Sequence, residues 1–194
     1  MRRRTFDALA TTAGLLIAGL LLIGGGLLTW GHNFVTNEVH TQLAAQKIVF
    51  PPANSPAVAG PQFAPMRQYG GQLMTTGAQA QVYADHFIAE HLKEIGGGQT
   101  YSQLSAKALA QPKNAALAAQ VQTMFRGETL RGLLLNAYAF WTIGQIMLWA
   151  AIAAFTGAGL LLILAIFGFI HLRHTAPEEQ IFPKTATRVE VSSS

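Results

Sequence analysis

The sequence predicts an all-α protein, in which two transmembrane helices extend outward as a helical hairpin with short helices inserted between the arms. Three observations predict it. Apolar residues make up 51% of the 194 and charged residues only 11%, well below the roughly 25% charge of an ordinary soluble domain. Two long uncharged apolar runs lie towards the two ends of the chain. Between them, apolar residues recur at helical rather than strand spacing.

The first run, residues 8–30, carries no charge; at 1.5 Å per residue it reaches about 34 Å, enough to cross the hydrocarbon layer. Arg2, Arg3 and Arg4 before it give it a signal-peptide profile and touch a twin-arginine pattern. The run exceeds the roughly 7–15 residues of a signal core, however, and no A-x-A cleavage site follows. It reads as an uncleaved anchor. The second run is uncharged for 39 residues, 132–170, about 58 Å of helix and nearly twice the bilayer. Its first half holds Asn136, Thr142 and Gln145 among aromatics, whereas residues 149–170 are almost wholly Ala, Leu, Ile, Phe and Gly. The span is therefore placed at 149–170, with Trp30 and Trp149 as anchors at the outer membrane interface. Residues 129–148 continue outward as a protein-packed helix.

Flanking charge sets the orientation. Three arginines precede the first span and Arg173, with His171 and His174, follows the second, while the opposite ends have no Lys or Arg nearer than Lys47 and Arg131. Both termini are expected in the cytoplasm of a multi-pass plasma-membrane protein. The predicted organisation is a cytoplasmic N-terminus over 1–7, spans at 8–30 and 149–170, an extracytoplasmic helical domain over 31–148 and a disordered cytoplasmic tail over 171–194. Within the spans, Ala10, Gly14 and Ala18, and likewise Ala150, Ala154 and Ala158, repeat every four residues. Such small-residue stripes permit close backbone approach, either between the two helices or to another membrane protein. Neither span contains Ser, His or an acidic residue, so no proton or ion path is indicated.

In the outer domain, Phe34, Val35, Val39 and Leu43 keep a helical period to about Lys47, and Pro51-Pro52 stops it. Residues 51–71, rich in Pro and Gly, read as an irregular connection. A helix follows over 76–95 and ends at Gly96, Gly97 and Gly98. Thr100-Tyr101-Ser102-Gln103 fits a capping box for a short helix closed by Gln111-Pro112. Asn114 is placed to cap a last helix that runs straight into the second span.

Little in the chain points to chemistry. There are no cysteines, which excludes disulfides, thiolate ligands and thiol catalysis. The net charge of +4 is spread thinly, with seven basic and five acidic residues over 31–131 and no run of like charge, so no nucleic-acid partner is expected. No nucleophile elbow, P-loop or dinucleotide fingerprint occurs, and no catalytic residue or cofactor is assigned. The one cluster of potential ligands is Asp85, His86, Glu90, His91 and Glu94. His86 and His91 lie about 140° apart on a helix and do not share a metal as an H-E-x-x-H pair does. His86, Glu90 and Lys93 read as a solvated, ion-paired face. His32 and His40, eight residues apart on the stalk, would need His86 or Glu128 brought in by folding to complete a 2-His-1-carboxylate site; the candidate metal ligands are His32, His40, His86 and Glu90. Glu128 with Arg131 reads as an i,i+3 ion pair.

Three stretches carry a resemblance: Val39-His40-Thr41-Gln42-Leu43 through Phe50-Pro51-Pro52, Gly77-Ala78-Gln79-Ala80 through His91-Leu92, and Gly127-Glu128-Thr129-Leu130-Arg131-Gly132 through Ala139-Phe140-Trp141. In these the chain resembles a group of two-pass membrane proteins from actinobacteria, over most of its length except the tail after about Arg173. The resemblance implies the two-span topology. Some members carry the label aromatic ring-opening dioxygenase, which implies a non-haem iron held by two His and a carboxylate; the spacing in this sequence makes no such triad evident. Three functions are carried forward: a membrane-anchored accessory or interaction protein with a membrane-protein partner or a second copy, an outer sensor or ligand-binding domain acting through a partner, and a metal-dependent enzyme. The lipid bilayer is a partner in each.

Overall fold

Thr76, Thr100 and Asn114 each present a side-chain oxygen to the free amides at a helix start, and these three caps set the rhythm of the chain's middle. A computed structural model describes residues 3–174; most of the tail expected over 171–194 lies outside the described residues. Among the described residues the fold is all-α, with α1 over Arg3–Ala45, α2 over Ala64–Arg67, α3 over Gly77–Val82, α4 over Ala89–Ile95, α5 over Tyr101–Ala110 and α6 over Ala115–His174. One isolated antiparallel bridge, Val49 to Leu73, is the sheet-like pairing among them. Contacts divide the chain into two units, Met1–Leu28 with Trp149–Ser194, and Thr29–Leu148.

The first unit is an antiparallel helix pair. Both α1 and α6 are long and apolar enough to cross a membrane, and only 11% and 17% of their most apolar stretches are buried. A core helix of a soluble protein hides such a stretch; here Leu16, Leu20 and Ile23 on α1, and Leu160, Leu164 and Phe167 on α6, stand open. What the pair does bury is small. Thr11, Ala18 and Gly25 on α1 face a seam with Ala151, Ala158 and Ala165 on α6. A Cβ on Gly25 would lie 2.8 Å from the Phe155 ring, and one on Gly157 would lie 3.4 Å from Leu21, so the helices meet backbone to side chain.

This buried seam does not follow the four-residue stripes read from sequence. Its period is seven. Ala18 and Ala158 belong to it and are fully buried; Gly14, Ala150 and Ala154 flank it half-buried; Ala10 is exposed, and Thr11 takes its place. The reason is angular: a four-residue step overshoots the α-helical turn by about 40°, whereas a heptad drifts by about 20° and is absorbed by a slight left-handed coil of the pair.

The second unit holds the hydrophobic core. α1 ends at Ala45 because Lys47 adopts a left-handed conformation (φ 54°), two residues before the end expected at about Lys47. Phe50 then turns inward, fully buried, with its amide donating to Gln72 O at 2.9 Å and its carbonyl accepting from Gly71 N at 3.0 Å. The proline-rich connection is more ordered than the sequence indicated. It forms 3-10 turns at Pro56–Val58 and Pro61–Phe63, and Arg67 ties it together by donating to the carbonyls of Val58, Ala59 and Gly60 at 2.8–3.0 Å.

α3, a π-helical stretch over Tyr83–Ile88 and α4 form one continuous rod. Beyond its capping turn, where Gly77 and Gln79 are also buried, the buried residues Ala80, Ala84, Ile88 and Leu92, continued by the cap residue Gly96, fall every fourth position. In a regular α-helix that period rotates off the core by about 40° per step. The i→i+5 turns of the π stretch hold more residues per turn and bring the stripe back to one face. Thr76 and Gln79 form a capping box at the rod's start, a T-x-x-Q signature legible in the sequence but overlooked there. The rod ends in Gly97 and Gly98 at positive φ, with Gly98 N donating to Lys93 O at 2.9 Å. The Thr100–Gln103 box opens α5 as expected, and Asn114 Oδ1 accepts from Leu117 N at 3.0 Å to open α6.

Candidate functional site

The residues singled out as possible metal ligands are dispersed. His32 Nδ1 lies 2.8 Å from Gly144 O, His86 Nδ1 lies 3.0 Å from Gln62 O and His91 Nδ1 lies 2.7 Å from Phe87 O. A carbonyl only accepts, so each ring carries its proton on Nδ1. His40 is exposed on α1, and Glu90 is half-buried on α4. Among the described residues, no group of three or more His, Asp or Glu side chains is close enough to hold a metal. The set His32, His40, His86 and Glu90 is not brought together by the fold.

His91 belongs instead to an aromatic cluster. Its ring packs tilted against Phe87 at 4.4 Å and Phe63 at 5.9 Å, and Phe87 continues to Tyr83 at 4.8 Å and from there edge-on to Phe50 at 5.4 Å. Burial in this cluster pushes the Tyr83 phenol above its ordinary value because the phenolate would lose its hydration. The cluster cements the proline-rich connection to the rod.

Arg131 makes the expected i,i+3 contact with Glu128 at 3.7 Å, and a shorter one with Asp85 at 3.1 Å. The Asp85 partner, 46 residues away, was not visible in sequence. The π stretch presents Asp85 to α6, so this pair joins the rod to the long helix. Arg131 Nε is buried without a hydrogen-bond partner among the described residues, and nothing in the geometry explains it.

The feature left open is a groove. Within the second unit, α1 and α6 line a cleft of about 530 Å³. Its floor is Val39, Leu43 and Leu134, all buried. Along α6 its wall is Leu130, Leu133, Ala137 and Phe140, with Asn136, and Phe34 stands at one end. Along α1 the opposite edge is Glu38, Gln42 and Gln46, exposed and spaced four residues apart. Phe34, Leu133 and Phe140 are 58%, 63% and 51% exposed, large apolar side chains that nothing in the unit covers. The volume lies in the range of ligand pockets, roughly 300–1,000 Å³. The lining positions were all readable as helical, but not which of them the fold would leave uncovered.

No protein-family model matches the chain, and no curated protein or solved structure matches it either. Fold and groove together define an all-α protein with two helices long and apolar enough to cross a membrane and a separately packed helical unit bearing an open apolar groove.

Proposed function

We propose that the chain is a membrane-anchored interaction protein, an accessory subunit that crosses the plasma membrane twice, keeps both termini in the cytoplasm and displays the helical unit outside. The groove of the second unit carries this reading. Contiguous exposed apolar surface marks a site of contact in proteins that face water, and here it is shaped as a cleft. The exposed apolar faces of the helix pair support the membrane placement, as do Arg2, Arg3, Arg4 and Arg173 on the inner flanks. The resemblance to the actinobacterial two-pass group fits this topology.

A second reading, an outer ligand-binding or sensor domain, is favoured by the groove's volume alone. The dispersal of the histidines gives no support to an enzyme holding iron through two His and a carboxylate.

Two experiments test the proposal. Reporter fusions after Gly71 and after Ser194 are expected to signal outside and inside respectively, and the reverse pattern overturns the topology. Purification in native nanodiscs, with mass measurement of the intact particle, is expected to give a mass larger than one chain. A lone monomer without a partner refutes the interaction reading.

A further inference from the structure

We infer that the groove between α1 and α6 receives a single helix of a partner chain, about three turns long, apolar along one stripe and carrying a Lys or Arg that reaches Glu38. This rests on the interaction reading and names the partner's chemistry. The length follows from the walls. From Phe34 to Gln46, one residue past the end of α1, the cleft runs along thirteen residues, about 18 Å end to end at 1.5 Å per residue. Its lining falls on Val35, Val39, Gln42 and Gln46 of one helix, and on Leu130, Leu134 and Ala137 of the other. These i, i+3, i+4 and i+7 steps make ridges and grooves of the kind a third helix packs into.

Lipid chemistry does not fit the polar edge. Glu38, Gln42 and Gln46 rise about 6 Å per four-residue step along the cleft. A hydrocarbon chain lying against this edge would take the Glu38 charge and the Gln46 amide out of water without offering either a hydrogen bond, which is costly. A helix repeats side chains at nearly the same pitch and can answer each step. The charge follows as well. Glu38 is the one ionised side chain lining the cleft, and it accepts from Gln42 Nε2 at 2.8 Å, which holds the carboxylate at the rim. No cation lines the cleft to receive a fatty-acid carboxylate or a phosphate. A basic residue on the incoming helix completes the pair, and an acidic one is repelled.

The test places a diazirine-bearing leucine analogue at Leu133, in the groove, and separately at Leu160, on the exposed face of the first unit, in the full chain in its source membranes. Irradiation and peptide mass spectrometry identify the adducts. The inference expects the Leu133 probe to capture a peptide of another chain that is apolar at helical spacing and contains Lys or Arg. The yield should fall about tenfold in Glu38→Lys, the size of a 1.4 kcal/mol loss, and be held in Glu38→Asp. Glu38 is exposed, so both variants are expected to fold, and an unchanged thermal midpoint checks this. An adduct with lipid, with a second copy of this chain, or with a peptide whose yield ignores Glu38→Lys overturns the inference. Adducts to another chain from Leu160 but none from Leu133 overturn it while leaving the interaction reading standing. Protein adducts from neither position refute both.

Discussion

Gly77 is the first residue of α3 and lies against Trp141 of α6, where the rod meets the long helix. A Cβ there would collide with Trp141 Cβ and stand 2.7 Å from Cγ and 3.1 Å from Cδ2, against an optimum of roughly 3.5–4.0 Å between carbons. The atom struck sits at the root of the indole side chain, so no rotamer change relieves the clash and the start of α3 must move. Gly77→Ala therefore carries an overpacking cost of about 1–3 kcal/mol. Against this stands a helix-propensity gain of at most about 1 kcal/mol. The expected net effect is a loss of about 1–2 kcal/mol, which at roughly 2–4 °C per kcal/mol for a chain of this size lowers the midpoint by several degrees. The matched control is Gly132→Ala. Gly132 lies inside α6 with nothing within 4 Å of a Cβ, and the same substitution should there stabilise by about 0.5–1 kcal/mol. Thermal unfolding of both variants in one detergent, followed by circular dichroism and tryptophan fluorescence, gives the comparison. Equal shifts of the same sign, or a raised midpoint for Gly77→Ala, would refute the argument that close approach rather than propensity decides this position.

Three further outcomes are expected. Ala158→Leu, placed on the fully buried seam of the helix pair, should destabilise by about 1–3 kcal/mol through overpacking, whereas Ala10→Leu, which is exposed, should leave the midpoint unchanged; a comparable loss at Ala10 would restore the four-residue stripe. Phe50→Ala, which removes one of the largest fully buried side chains, should cost about 3–5 kcal/mol and show as a lower denaturant midpoint of the helical unit. Tyr83 has a folded pKa raised above its unfolded value of 10.0, so its contribution is fully present below pH 10.0 and is lost as pH rises through the folded value. Tyr83→Phe should therefore flatten the alkaline limb of a stability-against-pH curve, and an unaltered limb would show that the phenol does not titrate against burial.

The sequence by itself determined the all-α class, the two long apolar helices and most helix ends, because these depend on composition and on side chains acting within four residues of the backbone they cap. Thr100 and Gln103, Asn114 and the glycines at 96–98 are of this local kind, and so is the unread box at Thr76. Tertiary structure decided the rest. Seven-residue seam positions replaced the four-residue stripes because coiling of two helices, not the geometry of one, sets which face stays in contact. The π stretch at Tyr83–Ile88 appears where a four-residue buried period has to stay on one face, and it delivers Asp85 to Arg131 across 46 positions of sequence. His32, His86 and His91, which sequence could only enumerate, each found a backbone carbonyl instead of one another. The groove, too, belongs to the tertiary structure: Leu133 and Phe140 look in sequence like any other apolar helix positions, and only the packing of the helical unit leaves them uncovered.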